Sequence, residues 1–193
     1  VDRAPTYDAP GQKSLHCKRD GAIKPGSALA MPQLQRPQSV EIQAQSSRLF
    51  VGEARAISLN RIPAQATPDV SWRSSDTRVI SIDASGKMVA KRAGSVRITG
   101  SARLADGSTQ TISFVQKVYP HAPARLSGYS AAKKVYLYWP ASLGAKQYSV
   151  YRATNQNGPF KKVSVVRSNH ATISSKMSTG KTYYFLIQSS AYG

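Results

Sequence analysis

The chain of 193 residues has a single cysteine, Cys17. One thiol cannot close an internal disulfide, so any core must hold by packing alone, and a free thiol is expected. Acidic residues are scarce as well. There are 9 Asp and Glu against 27 Lys and Arg, a net charge of +18, and residues 120–193 carry 10 basic residues and no acidic one. A stretch of that size without a carboxylate forms no side-chain ion pair of its own. It presents a positive field to phosphates, anionic glycans or acidic protein surfaces. No apolar run approaches the roughly 20 residues of a membrane-spanning helix; the densest cluster is Tyr183 to Ile187. No charged-then-apolar leader opens the chain at Val1, so no targeting segment is read.

Clusters that carry chemistry are missing too. His16, His121 and His170 stand apart from any Cys or carboxylate at ligand spacing, which argues against a zinc site. No Asp-rich loop of the calcium-binding kind occurs. Asp76, Asp83, Asp106 and Glu53 fall at expected turns or strand ends, where a carboxylate bonds local backbone. Ser178-Thr179-Gly180-Lys181 satisfies S-x-x-K, and Gly180-Lys181-Thr182 imitates the end of a phosphate loop. The phosphate loop also needs glycine where Ser175 stands and a helix afterwards, whereas Tyr-Tyr-Phe-Leu-Ile reads as a strand. The S-x-x-K acyl enzymes need further motifs that are absent. No catalytic, metal or cofactor residue is assigned, and the chain is not expected to be an enzyme.

What is present is alternation. Residues 1–37 are broken by Pro5, Pro10, Pro25, Pro32 and Pro37 and read as an extended or partly disordered lead-in. From Gln38 the period changes to two: Val40, Ile42 and Ala44 alternate with polar residues, as do Val70 with Trp72 and Val96 with Ile98. Turns recur at Asp83-Ala84-Ser85-Gly86, Ala93-Gly94 and Ala105-Asp106-Gly107-Ser108. Short strands at about ten-residue spacing imply an all-β sandwich. Tyr119-Pro120-His121-Ala122-Pro123 makes a stiff joint. Beyond it, Val135, Leu137 and Trp139 alternate with Tyr136 and Tyr138, and Tyr183, Phe185 and Ile187 share one side of a late strand. Trp72 and Trp139 are the expected core aromatics, because rings of that size dominate the burial energy of a small sandwich.

The order of landmarks W-x-S-S-D, V-I-S-I-D-x-S-G and A-G-S-V-R-I-T, preceded by L-x-V-G-E, resembles the bacterial immunoglobulin-like group 2 (Big2) domain over about 38–119. Residues from about 121 to 193 resemble a fibronectin type III domain, with Trp139 on the second strand, Y-x-V-Y-R at Tyr148–Arg152 and G-x-x-Y ending at Tyr183. That resemblance implies a tyrosine corner at Tyr183. It also implies a seventh strand, which is not found before Gly193. The expected architecture is therefore two tandem immunoglobulin-like β-sandwich domains, 38–119 and 120–193, after an irregular lead-in.

The candidate binding surface comprises Tyr151, Tyr184 and Leu186 with Lys133, Lys134, Lys161, Lys162 and Lys181, since aromatic faces beside cations suit polymers and proteins alike. The resemblances imply a non-catalytic secreted or surface-displayed bacterial protein of the adhesin type. Its expected partner is another protein at the C-terminal domain edge, or a cell-surface component. Alternatives are a basic binder of nucleic acid or envelope glycan, which includes weak polyanion binding, and a phage structural module.

Overall fold

The computed structural model describes residues 1–43 and 48–191, so Ala44 lies outside the described residues. Every regular element among the described residues is a strand. In the lead-in, β1 (Gly11–Lys13) pairs antiparallel with β2 (Leu29–Met31). Gly11 is required there, because a Cβ would sit 2.5 Å from Pro5 N. The prolines that interrupt longer strands leave this small hairpin, and both it and its exit are fastened near Thr67. Tyr7 donates its hydroxyl to Thr67 O at 2.8 Å, the Arg36 guanidinium lies 4.2 Å over the Tyr7 ring, and Thr67 N donates to Gln35 O. Pro37 is fully buried beneath Ala105, whose N–H bonds its carbonyl.

The next sheets gather around one apolar cluster. β3 (Ser39–Ile42) pairs with β6 (Leu59–Ile62). β4 (Leu49–Phe50) runs parallel to β11 (Thr109–Tyr119), which pairs through ten residues with β10 (Gly94–Arg103), and β10 pairs with β7 (Asp69–Ser74). β5 (Ala54–Ala56), β9 (Lys87–Ala90) and β8 (Ile80–Ile82) make the third sheet. The strand period of two does the sorting on β10: Val96, Ile98, Gly100 and Ala102 are buried while Arg97 and Arg103 face water. Leu49, Ile80, Met88 and Ile98 are the cluster's fully buried large side chains.

Trp72 is not its centre. It packs half-buried against the cluster from β7, the edge strand of the four-stranded sheet, with Gly86 and Gly100 both close to its ring. Its ring lies flat on Gly100, at which a Cβ would come 2.7 Å from Trp72 Cζ3. The Asp residues serve turns, as their spacing suggests. Asp83 accepts from Ser85 N, Ser85 Oγ and Lys87 N, and Asp106 accepts from Ser108 N. Those hydrogen bonds, from Ser85 and Ser108 respectively, hold both carboxyls below the ordinary carboxylate range.

Past the prolines, two three-stranded sheets enclose a second cluster. One is β12 (Ser127–Ala131), β13 (Lys134–Tyr138) and β16 (His170–Ile173); the other is β15 (Lys161–Val166), β14 (Gln147–Ala153) and β17 (Tyr184–Ser190), in that spatial order. Leu137, Trp139, Tyr148, Val150, Ala171 and Ile173 are buried between them, with Trp139 and Tyr148 edge to face at 5.4 Å. At the junction His121 Nε2 donates to Val51 O at 2.9 Å, and Ser189 Oγ donates to His121 O at 2.6 Å. Gly144, at φ 81°, sits so close to Val51 that a Cβ would be 2.6 Å from Val51 Cγ2. The Ser190 end of β17 is thus held at the junction, and the Tyr184 end points away from it.

The Trp72–Gly100 contact is directly testable. Gly100→Ala should cost about 1–3 kcal/mol in urea denaturation, as overpacking does. In a Trp72→Leu background the same change should cost less than about 0.5 kcal/mol, because the ring it strikes is gone. Equal costs in both backgrounds would remove the ring from the account.

Candidate functional site

The eight candidate surface residues separate into two places. Cross-strand register sets Lys162, Tyr151 and Leu186 side by side on β15, β14 and β17, and Tyr184 lies two residues from Leu186 on the same side. A β-bulge between Val150 and Tyr151 shifts the β14–β15 register just where Val150 is buried and Tyr151 turns outward. Tyr151 donates its hydroxyl to Gln188 Oε1 at 2.9 Å, and Lys162 Nζ stands 5.9 Å from the Tyr151 ring centre. Leu186 is 45% exposed. Lys161 follows in register opposite Arg152.

Lys133, Lys134 and Lys181 are elsewhere, at a cleft of about 720 Å³ between β12 and β17, which Tyr184 also lines. β12 and β17 are the outer strands of the two facing sheets, so the sandwich gapes along this side. Val135, Leu137 and Phe185, which pack against the second cluster, also line the cleft with Met177. Two details of its rim are unusual. The two residues joining β12 to β13, Ala132 and Lys133, have φ of 48° and 61°, a tight hairpin geometry that normally calls for Asn or Gly. Lys176, which precedes the cleft residue Met177, has φ 53°. Each such residue costs on the order of 1 kcal/mol and persists where its surroundings enforce it.

The far wall is braced by Tyr183. Its hydroxyl accepts from Ser178 N at 3.0 Å and donates to Lys176 O at 3.5 Å, which closes the loop before β17 onto its own backbone. Arg152 lies 5.3 Å over the Tyr183 ring and donates to Ser175 O at 2.7 Å. The Ser178 hydrogen bond, with smaller help from Arg152 and Lys181, lowers the Tyr183 phenol below its ordinary value.

Tyr136 and Tyr138 belong to neither place. They stand on the other sheet with Tyr129, which sequence reading passed over because β12 is exposed along its whole length and shows no apolar alternation. Tyr129 stacks on Tyr136 at 4.8 Å and on Tyr138 at 6.3 Å, and Tyr138 stacks on His170 at 6.3 Å. Rings in such a ladder cover one another's faces and offer edges and hydroxyls outward. The hydrogen bond that Tyr129 gives to Tyr138 holds its own proton and raises the Tyr129 phenol.

In the lead-in, Ser14, His16 and Asp2 come together but not as a nucleophile, base and orienting acid. Asp2 takes hydrogen bonds from both Ser14 Oγ and His16 Nε2, while His16 Nδ1 faces Gly21 O. The serine proton is therefore aimed at the carboxylate, and no imidazole nitrogen is free to accept it. The Gly21 carbonyl and then Asp2 raise the His16 imidazole, so this is a clasp that holds the hairpin. Cys17 is free and exposed. Among the described residues no group of three or more His, Cys, Asp or Glu could hold a metal ion.

Comparison with known protein families gives no match, and comparison with curated proteins gives none either. Among solved structures, the crystal structure of domains A168-A170 from titin aligns weakly, with a TM-score of 0.35 and 14% identity over 93% of this chain and 76% of that one. At that score the likeness adds nothing to the sheets described above. Over the described residues the chain is an all-β protein of several small sheets in sandwich-like packing.

Tyr183 gives a prediction with a definite sign. Its folded-state pKa lies below the ordinary value of about 10, so its ionisation favours the folded state. That contribution is present above the unfolded value and is lost as pH falls through the folded one. Followed by phenolate absorbance, the earliest tyrosine step of the folded chain should vanish in Tyr183→Phe. An unchanged first step would assign it to another ring.

Proposed function

We propose that this chain acts by binding and not by catalysis, as a secreted or surface-displayed bacterial interaction protein. In this reading a Big2-like unit at 38–119 and a fibronectin type III-like unit at 120–193 space and present a docking edge, with the 1–37 hairpin closing the opposite end. The observation that carries it is β17: it is the outer strand of its sheet, and beside it lies a cleft between the two sheets lined in part by Val135, Leu137 and Phe185. A strand with one partner leaves half of its backbone donors and acceptors without protein partners, and such an edge takes up another extended segment. The exposed Leu186 and the neighbouring Tyr184 and Tyr151 add apolar contact on the outer face of the same strand. The excess of basic residues adds a weak, salt-sensitive attraction for polyanions of any kind, which sets no specificity. Placement outside the cytoplasm rests on the Big2 resemblance.

A strand supplied in cis tests the edge. A designed segment of alternating Val and Thr, joined after Gly193 by a Gly/Ser linker, should raise Tm by about 5 °C or more, since roughly 1 kcal/mol shifts a domain of this size by that much. It should also slow hydrogen exchange along β17. The same segment with two central prolines should do neither. If both fusions behave alike, β17 is not a docking edge.

A further inference from the structure

We propose that the cleft takes an extended segment of another protein that runs antiparallel to β17, with alternating apolar side chains and carboxylates gathered toward its C-terminal end. This rests on the reading of β17 as a docking edge and adds the partner's chemistry and direction.

The apolar requirement comes from the walls. Val135 and Leu137 on β13 and Phe185 on β17 face the interior of the second half and also line the cleft. A segment hydrogen-bonded to β17 would place every second side chain over them, because the strand period is two. A partner without an extended peptide backbone could fill the gap but could not pair with the edge.

The acidic requirement comes from the rim. Lys133, Lys134 and Lys181 all line the cleft, and no carboxylate occurs anywhere in residues 120–193 to neutralise them. Lys133 and Ala132 are held in left-handed backbone at the β12–β13 turn, an arrangement that keeps two adjacent lysines on the rim at a conformational cost. Backbone outliers of this sort gather at ligand clamps. The same charge argues against a second copy of this chain, whose net charge is +18.

Where the lysines lie along β17 sets which end of the segment is acidic. The Ser190 end is tied to the junction through Ser189 and His121, whereas the cleft is lined by Tyr183, Tyr184 and Phe185 at the other end. Lys181 immediately precedes that end, and the β12–β13 turn closes the same cleft. A segment antiparallel to β17 finishes among these three lysines; a parallel one starts there. The lysines call for carboxylates at that end, and an antiparallel ladder is slightly more stable per residue than a parallel one, so acidic residues belong at the finish of an antiparallel segment.

The test uses the full chain and three labelled peptides of about ten residues, a strand's usual upper length. All share one alternating Val/Thr pattern. One carries three Glu at its C-terminal end, one carries them at its N-terminal end, and one carries three Lys at its C-terminal end. By fluorescence anisotropy at physiological salt, the first should bind at least about tenfold more tightly than either of the others. It should also protect β17 amides from exchange. In the Lys133→Glu, Lys134→Glu, Lys181→Glu variant the preference should invert toward the Lys peptide, which at once shows that the variant is folded. Equal binding of the two Glu peptides would overturn the direction, and equal binding of the Lys peptide would overturn the acidic chemistry. Oligothymidylate that binds without displacing the peptide or reducing β17 protection occupies a separate, nonspecific site and supports the peptide as occupant, whereas displacement with loss of protection overturns it. If no peptide binds although the strand fused in cis stabilises the chain, the partner chemistry is wrong and the docking edge stands. Failure of both removes the edge itself.

Discussion

The ten-residue ladder between β10 and β11 is the constraint from which the rest of the chain takes its position. It buries Val96, Ile98 and Ala102 on one face and leaves no freedom for a one-residue slip, which would send Arg97 and Arg103 inward. β11 then carries the chain along this ladder to Tyr119, beside Phe50 of β4, and so delivers His121 to the carbonyl of Val51. His121 in turn accepts Ser189 through its own carbonyl, and with that bond one end of β17 is fixed. The register of a ladder in the first half thus decides which end of β17 is anchored and which opens on the cleft.

Charge is distributed in a way that sharpens the contrast between the halves. Three carboxylates of the first half are occupied in turns: Asp76 is clasped by Arg78, and Asp83 and Asp106 accept from their own loops. The second half builds its turns from Asn155, Ser142 and left-handed backbone instead, and has no carboxylate to set beside its lysines. Positive potential at the cleft is therefore uncompensated from within.

Much of the second cluster was legible in the sequence, because Val135, Leu137 and Trp139 alternate cleanly and a buried strand face must be apolar. The all-β class was legible for the same reason. Trp72 was misplaced: size argues for the centre, but β7 is an edge strand, and strand order is not written in local pattern. β12 escaped notice because exposed residues of sequence Ser-Gly-Tyr-Ser-Ala carry no period, so Tyr129 and its ladder went unseen. The lead-in hairpin was hidden by its prolines, and its order depends on a distant partner, the carbonyl of Thr67. Nearness in sequence groups the candidate lysines with the tyrosines. Register divides them, with Lys162 beside Tyr151 and the pair Lys133 and Lys134 on the opposite sheet.

Two surfaces of the second half could attract a ligand, and they differ in what they have left to give. In the Tyr129 ladder each ring already spends a face on its neighbour, and stacking of that kind is the interaction a base or sugar would have to replace. A ligand there meets hydroxyl edges that water satisfies equally well. At the cleft the balance is reversed. Phe185 and Leu137 line a gap between sheets, β17 keeps an outer edge of backbone groups, and three lysines face no carboxylate. Burial, hydrogen bonding and charge are all unspent at one place, and a single extended acidic segment satisfies the three together. An ion or a flat ring would satisfy only one of them. That difference, more than the abundance of tyrosine or lysine, singles out the cleft.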